Sequence, residues 1–556
     1  MLHAKGSLCT IDVGDRSVTT NEIEDELAEF IGGRGVATRL AHDRIPFDAD
    51  PYGAENRLYF STGPLQQSQM SFTGRMNCTA LSPLTDGVAS ANAGGYLSRN
   101  FVDTGHSVVE LVGESDDLLA VHVTDDDVEF EVVPELEEAT VPEVTAAMNE
   151  RHGLEAENLA TIGPAGENGV RFACVMTYDS RAFGRGGLGA VMGAKNVKCV
   201  TFQGDSAPDV DVPAEDVQST VHQEAATSDH IMRRQGTTNS IEFINDNFSF
   251  PTRYFSERSF EDIENIGGNA VEEKKYKKAS CSVCAFACKL PTKDEETGLE
   301  TEGPELETVF SFGSNCGVGD LVDVMQSNEL CDQYGMDTIS CGNVVAAYLA
   351  SEAEFGNADL VHDLVEKIAF REDEGDLLAE GVARAHEALG VENFSVKGME
   401  FAAHDGRALN GQGLSYAVSN RGADHMYSTT LADEYGGDVD PQGTTGKAEL
   451  VIENENRNAL RDSGVICQFG LGRAVEGDRF EALFDADYDE LLAVGARVVE
   501  LERHFRTQRG YDGEEDRLPY DLPDLASSIE EYYELRGWND DGTVPTDAVG
   551  EYAQAD

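Results

Sequence analysis

Three cysteines stand within eight residues of one another, in the run Cys281-Ser-Val-Cys284-Ala-Phe-Ala-Cys288. In a reducing compartment three thiolates this close can bind one metal centre together. A structural zinc wants four ligands, commonly with a second cysteine pair or two histidines nearby, and no such pair follows. An iron–sulfur cluster also takes four thiolates, but the fourth can come from far along the chain. The spacing therefore favours a cluster over zinc, with Cys316, Cys331, Cys341 and Cys467 as candidates for the fourth ligand. The order of the two gaps is the reverse of the CxxxCxxC pattern of radical enzymes, which loses support accordingly.

Glycine supplies the second signal. The chain holds 56 glycines in 556 residues, about a tenth where about 7% is usual. They gather in a few loops: Gly32-Gly-Arg-Gly35, Ser90-Ala-Asn-Ala-Gly-Gly95, Gly163-Pro-Ala-Gly-Glu-Asn168 and the stretch from Arg181 to Ala190. Missing side chains let backbone N–H groups approach an anion. Arg34, Arg75, Arg181 and Arg185 sit in or beside these turns, where a guanidinium suits fork-like contact with phosphate. None of the loops fits GxGxxG between a strand and a helix, or GxxxxGK[ST], so neither common nucleotide site is supported.

A third set is polar residues in glycine-bearing contexts: Glu305 and Glu307, Asp332 and Asp337, Asp462, and His425. Each taken singly reads as a helix cap or a solvated charge.

These residues need elements to hold them. From Ser7 to about Gly204 the sequence alternates short β-prone runs with Gly, Asp and Asn: Arg57–Ser61, Asn77–Leu81, Ser107–Val112, Leu119–Val133, Phe172–Tyr178 and Val197–Gln203. The acidic, proline-bearing DSAPDVDVPAED then marks a change to helical spacing. Helices are predicted over Asp320–Tyr334, Thr338–Phe355, Asn357–Arg371 and Gly375–Leu389. Tyr488–Arg506 carries Leu491, Val494, Val498, Leu501 and Phe505 in one apolar stripe, which reads as core packing. The expected division is a β-rich domain over 1–205, a helical domain with the cysteine run over 206–400, and a C-terminal helical domain over 401–556. Such a length exceeds a single core.

With 104 Asp+Glu against 41 Lys+Arg, the formal charge is −63. Such a surface repels nucleic acid and anionic membranes, which are bound through cationic patches. About 40% of residues are hydrophobic and interleaved with the acids, which indicates a folded chain rather than disorder. Molar salt would screen the self-repulsion to about 3 Å, so a halophile's solvated surface is the expectation. No apolar run reaches the length of about 18 residues that would suggest a membrane span, and the start lacks a signal-like apolar stretch; a cytoplasmic location is expected. Eleven irregularly spaced cysteines do not resemble a disulfide framework.

Taken in order, FIGGRGVATRL, IGPAGENGVRFACVMTYDSRAFGRGGLGAVMGAKN, the cysteine run, GPELETVFSFGSNCGV, the Asp332–Asp337 segment, SYAVSNRGADH and RDSGVICQFG closely resemble the aldehyde ferredoxin oxidoreductase family of tungsten-pterin enzymes. The resemblance implies an α+β fold, with an N-terminal pterin-binding domain of two β-sheets followed by two mainly α-helical domains. It implies a tungsten (or molybdenum) bis-molybdopterin cofactor, Mg²⁺ bridging the pterin phosphates, and a [4Fe–4S] cluster. Arg75, Asn92, Gly94, Arg181, Ala182, Gly184 and Arg185 match pterin, phosphate or Mg²⁺ positions. Asp332, Met336 and Asp337 match one pterin motif, and Asp462 to Cys467 the other, whose terminal cysteine is the fourth cluster ligand with Cys281, Cys284 and Cys288. Met336 and Ile466 stand where leucine is expected, which preserves apolar bulk.

The implied reaction is oxidation of an aldehyde with water to a carboxylic acid, electrons passing through the cluster to ferredoxin. Glu307 and His425 match positions near the metal, and suit proton exchange when tuned by burial. The run Lys274-Lys-Tyr-Lys-Lys278 holds four of the twelve lysines and offers a surface for an acidic ferredoxin, or is simply a solvated turn. Two other readings stand beside this one: a reductive tungsten enzyme acting on an acyl-CoA or aromatic thioester, and a noncatalytic iron–sulfur or zinc electron-transfer subunit, against which the arginines and both Asp motifs argue. A homodimer is a family expectation only.

Overall fold

The computed structural model describes residues 1–437, 439–470, 476–545 and 549. The end of the expected third domain, beyond residue 549, lies outside the described residues.

The N-terminal part contains two six-stranded mixed sheets. The first holds β1 (Ser7–Asp12), β2 (Ser17–Asn21), β3 (Leu58–Ser61), β4 (Arg75–Leu81), β5 (Val88–Gly94) and β6 (His106–Val112), in the order β2-β1-β6-β3-β4-β5. The second holds β7 (Leu119–Val123), β8 (Val128–Val132), β9 (Leu159–Thr161), β10 (Val175–Thr177), β11 (Arg181–Phe183) and β12 (Val197–Phe202), in the order β11-β10-β9-β12-β7-β8. In each sheet one pair is parallel, β1 with β6 and β12 with β7. The sheets share an apolar core in which Phe60 meets Phe183 and Phe202 edge-on, at 5.9 and 5.8 Å between ring centroids.

Two of the expected strands differ in detail. Leu119–Val133 is a hairpin, β7 and β8, turned where Thr124 N–H donates to Asp127 O at 2.9 Å. Phe172–Tyr178 is strand only over Val175–Thr177, because the preceding backbone is used elsewhere: Cys174 N–H donates to Gly335 O at 2.8 Å.

The edge strand β5, VASANAG, is poor in the branched side chains that favour sheets. Its register with β4 holds it from Val88↔Leu81 to Gly94↔Arg75. The two-residue period puts Ala91 and Ala93 into the core between the sheets. It leaves Ser90, Asn92 and Gly94 toward a cavity. β5 lies against β11 of the other sheet, so the two sheet edges together form a floor.

The rest of the described chain is mainly helical. Leu321–Tyr334, Thr338–Glu352 and Ala358–Phe370 begin at side-chain caps from Asp320, Asp337 and Asn357. The predicted helix Gly375–Leu389 is two, Glu374–Leu378 and Val382–Leu389. The break falls at Gly381, where φ is +82° and a Cβ would lie 2.9 Å from Glu400 Oε1; that same oxygen accepts from Val382 N–H at 2.9 Å.

The apolar stripe is as expected: in the helix Tyr488–Gln508, Leu491, Val494, Val498, Leu501 and Phe505 are all buried, each worth about 1.5–3 kcal/mol. This helix packs on Lys447–Ser463 and on Gly33–Arg44, and Gly33–Arg44 in turn lies on β4. The C-terminal helices are thereby braced against the first sheet. No described helix is long and apolar enough to cross a membrane.

Candidate active site and cysteine pocket

Two adjoining cavities, of about 340 and 470 Å³, lie over the β5–β11 floor and share Arg75, Asn92, Arg181, Ala182, Glu305, Glu307 and His425 in their walls. The first is also bounded by Gly184, Arg185, Asp332, Met336, Asp337, Arg421, Asp462 and Ile466; Gly94, Cys281 and His404 bound the second. Every residue matched to a pterin motif therefore lines this space, apart from Ser463, Gly464 and Val465 within the second motif. Volume alone would not have located it, since a cleft of about 580 Å³ lies elsewhere, around Arg506.

The arginines are held by the protein. Arg75 donates Nη2–H to Asn92 O at 2.5 Å. Arg181 pairs with Glu302. Burial opposes its charge, but Glu302, Cys281 and Glu305 together hold the guanidinium more firmly protonated than usual. Arg185, at φ +67°, donates to Glu400 O at 2.5 Å and to Ala423 O at 3.3 Å. The Nε atoms of Arg181 and Arg421 are buried and have no hydrogen-bond partner, while Arg185 Nε faces Asp337 Oδ2 at 3.4 Å.

The aspartates are fixed from different elements. Asp337 caps Thr338–Glu352, accepting from Ile339 and Ser340 N–H at 3.2 and 3.1 Å. Asp332 accepts from Asn328 Nδ2–H at 3.2 Å, and burial, with Glu329 nearby, raises its carboxyl well above the usual range. Asp462 Oδ1 accepts from Asn92 Nδ2–H at 2.9 Å and from Arg461 Nη2–H at 2.7 Å.

Arg34 is a correction. It lines neither cavity; its fork closes on Glu502, both N–H···O distances being 2.8 Å, with the guanidinium 3.4 Å from the Tyr427 ring centroid. The glycines beside it serve close packing instead: a Cβ on Gly33 would run into Asp462 O. The Gly163 loop likewise packs against Tyr334 and lines neither cavity.

Beside the second cavity, Cys281, Cys284, Cys288 and Cys467 converge on one small pocket with Phe72, Gly74, Arg75 and Phe469. Left-handed residues Val283 and Ala287, at φ +50° and +52°, curl the cysteine run around it. Cys467 is brought in from the far end of the helix Lys447–Ser463 by its N–H, which donates to Phe72 O at 2.8 Å. Arg75 Nη1 lies 3.8 Å from Cys467 Sγ. A Cβ on Gly94 would stand 2.9 Å from Cys281 Sγ and displace that thiol. Cys316, Cys331 and Cys341 are buried in the helical core instead.

Glu307 stands on a single helical turn, Leu306–Thr308, that runs into a π-helical segment, Val309–Ser314, a feature often found at functional sites. Its Oε2 accepts from Ala403 N–H at 2.8 Å, while Oε1 has no hydrogen-bond partner. Two histidines face that oxygen, with His425 Nε2 at 3.5 Å and His404 Nε2 at 3.7 Å. Both distances are beyond a hydrogen bond.

Burial holds His404 down to about 4 and, helped by His404, His425 down to about 3. Both rings are therefore neutral at pH 7 and neither forms a true ion pair with Glu307. Desolvation raises the Glu307 carboxyl to about 7, against the pull of the Ala403 N–H and Arg185. His404 is the residue that reading the sequence missed. It comes from the loop after a short hairpin at Ser395–Glu400, and its only local signal is a His-Asp-Gly turn.

Across the chain, the family profile of the aldehyde ferredoxin oxidoreductase N-terminal domain matches residues 8–204, and that of domains 2 and 3 of the same enzymes matches residues 214–552. The chain belongs to the aldehyde ferredoxin oxidoreductase family. It is 32% identical to the tungsten-containing aldehyde ferredoxin oxidoreductase of Thermococcus kodakarensis, over 99% of each chain. With the enzyme of the same name from Pyrococcus furiosus it shares 31%, again over 99% of each. Its fold is also that of the active-site complex BamBC of benzoyl coenzyme A reductase, with a TM-score of 0.83 at 20% identity, over 99% of this chain and 97% of that one.

Proposed function

We propose that this family member oxidises aldehydes to carboxylic acids: R–CHO + H₂O gives R–COOH, two protons and two electrons, the electrons leaving singly to ferredoxin. The observation that carries the reading is the carboxylate Glu307, desolvated and half-partnered, at the junction of two cavities whose walls hold nearly all the pterin-matched residues.

A tungsten bis-pterin fits those walls by its donor chemistry. The unpartnered Nε–H groups of Arg181 and Arg421 suit phosphate oxygens, and Asp332 and Asp462 can accept from pterin N–H groups. Gly94, Ala182 and Gly184 add little bulk. The two adjoining cavities, of about 340 and 470 Å³, are each in the size range of a small-molecule site of about 300–1,000 Å³. Asn92 and Ala182 are among the positions matched to pterin, phosphate or Mg²⁺ contacts. Cys281, Cys284, Cys288 and Cys467 would hold a [4Fe–4S] cluster, with Arg75 between them and the cavity. The bound metal supplies two-electron redox and Lewis-acid chemistry.

The chain's own residues supply proton handling and exclusion of water. Glu307 Oε1, free of other partners, takes a proton from the attacking water, and near pH 7 it holds and releases that proton with little cost. His425, neutral and 3.5 Å from Oε1, orients the aldehyde oxygen and passes the proton outward. The reductive reading, on an aromatic thioester, draws on a likeness of 20% identity that speaks for the fold; the oxidative one draws on full-length relatives at 31–32%.

The discriminating experiment is an anoxic assay in high salt with a panel of aldehydes and benzoyl-CoA. The expected result is one carboxylate formed per two ferredoxins reduced, with no thioester turnover. Thioester reduction without aldehyde oxidation overturns the reading.

A further inference from the structure

Away from both cavities, the outer edge of the second sheet carries a compact group of metal-ligand side chains. His122 on β7, Glu131 on β8 and His152 offer ligand atoms that all lie within 4.8 Å of one another. Both imidazoles point Nε2 at the same oxygen, Glu131 Oε2, from 3.1 Å for His122 and 2.8 Å for His152. An ion bound at about 2.0–2.2 Å to each atom separates its ligands by about 2.9 Å at right angles and about 3.3 Å at tetrahedral angles. The two spacings to Glu131 Oε2 need only a few tenths of an ångström of adjustment, and the two histidine ligand atoms lie within 4.8 Å of each other.

The surroundings favour a cation. His122 faces Glu129 across the β7–β8 register and Thr201 across the β12–β7 register. Thr201 Oγ1 is 2.9 Å from His122 Nδ1 and can donate or accept. It therefore accepts from Nδ1–H when Nε2 gives up its proton to become a ligand, as outer partners of metal-bound histidines do. His152 closes the helix Val141–His152, just before the left-handed Gly153, where the helix dipole attracts positive charge. Arg151 offsets part of the acidity, pairing with Glu131 Oε1 at 2.9 Å and with Glu135. Glu129, Glu131 and Glu135 still outnumber it.

We propose that His122, Glu131 and His152 bind a divalent transition-metal ion of the zinc class, with water completing its shell, and so tie the end of the helix Val141–His152 to the sheet edge. The site is three-ligand and partly open: His152 is 38% exposed. It lies on the β7–β8 side of a sheet whose opposite edge, β11, carries Arg181. Its occupancy is therefore expected to act on stability rather than on turnover.

The test is equilibrium dialysis of the cofactor-loaded protein against micromolar Zn²⁺ at pH 7.5, with zinc counted by mass spectrometry. Wild type is expected to take up about one more zinc per chain than either His152→Ala or Glu131→Gln. Its thermal midpoint is expected to rise with zinc where theirs does not. Unchanged dye-linked activity without zinc shows that the variants fold; if one does not, the other and His152→Gln carry the comparison. Equal zinc uptake by wild type and variants overturns the site.

Discussion

Replacing Glu307 with glutamine is expected to lower activity and raise stability together. The carboxyl is lifted from 4.5 to about 7 by burial beside two neutral histidines. A shift of that size corresponds to about 3 kcal/mol, at 1.36 kcal/mol per unit. Below the unfolded value both states are protonated and no penalty exists; as pH climbs from about 4.5 to about 7 the folded state is progressively penalised, and above 7 the penalty is complete.

Glu307→Gln removes that penalty. At pH 8.5 the variant should therefore melt about 3 °C higher than wild type, taking an unfolding entropy of about 2.1 cal/mol/K per residue over the chain. At pH 4.5 the gap should close. Activity should move the other way: loss of a positioned proton acceptor costs about 10²–10⁴-fold. The rising limb of wild-type kcat/KM near pH 7 should vanish in the variant. The assay is dye-linked aldehyde oxidation across pH 5–9, paired with melting of the same metal-analysed samples. A variant with full metal loading, unchanged turnover and an unchanged limb refutes the role given to Glu307. A variant destabilised at pH 8.5 refutes the account of its burial.

Three further outcomes are expected. Cys467→Ser should lose iron or alter the EPR signal, whereas Cys316→Ser, in the helical core, should keep both. Gly94→Ala, whose new methyl would stand 2.9 Å from Cys281 Sγ, should lower iron content by disturbing the cysteine pocket while the secondary structure seen by circular dichroism stays unchanged. Of the lysine run, Lys274 is tied to Asp294 at 2.5 Å and Lys275 to Arg233 O at 2.9 Å, which leaves Lys277 and Lys278 exposed. Charge reversal of that pair should raise the KM for ferredoxin at low salt and leave dye-linked turnover alone; an equal loss with both acceptors would count against docking there.

How much of this could be read from the sequence follows from how local each signal is. The cysteine run and the glycine–arginine turns are chemistry written in adjacent residues, so they are visible without a fold. The choice of Cys467 needed the family resemblance, because its approach to the pocket depends on Phe72, nearly four hundred residues away. β5 reads as a loop because Ser, Asn and Gly are poor strand formers, yet those small side chains leave the cavity open above the sheet. Tertiary pairing with β4 overrides the propensity.

Arg34 shows the opposite error. A glycine-flanked arginine matches the phosphate pattern, but a carboxylate from a helix more than 460 positions on, Glu502, occupies the fork. His404 had no periodic or motif context to mark it, and its place beside Glu307 arises only when the turn after the Ser395–Glu400 hairpin folds over the cavity. The charge of −63 describes the exterior; in the cavity walls arginines and carboxylates are nearly balanced.

Elemental analysis of anoxically purified protein tests whether the cavity and the cysteine pocket hold a tungsten-pterin and a four-iron cluster. About one tungsten or molybdenum and about four iron atoms per chain are expected, both falling in the Arg181→Ala, Cys467→Ser double variant. Protein that contains zinc at the cysteines, and neither tungsten nor molybdenum, would contradict that assignment.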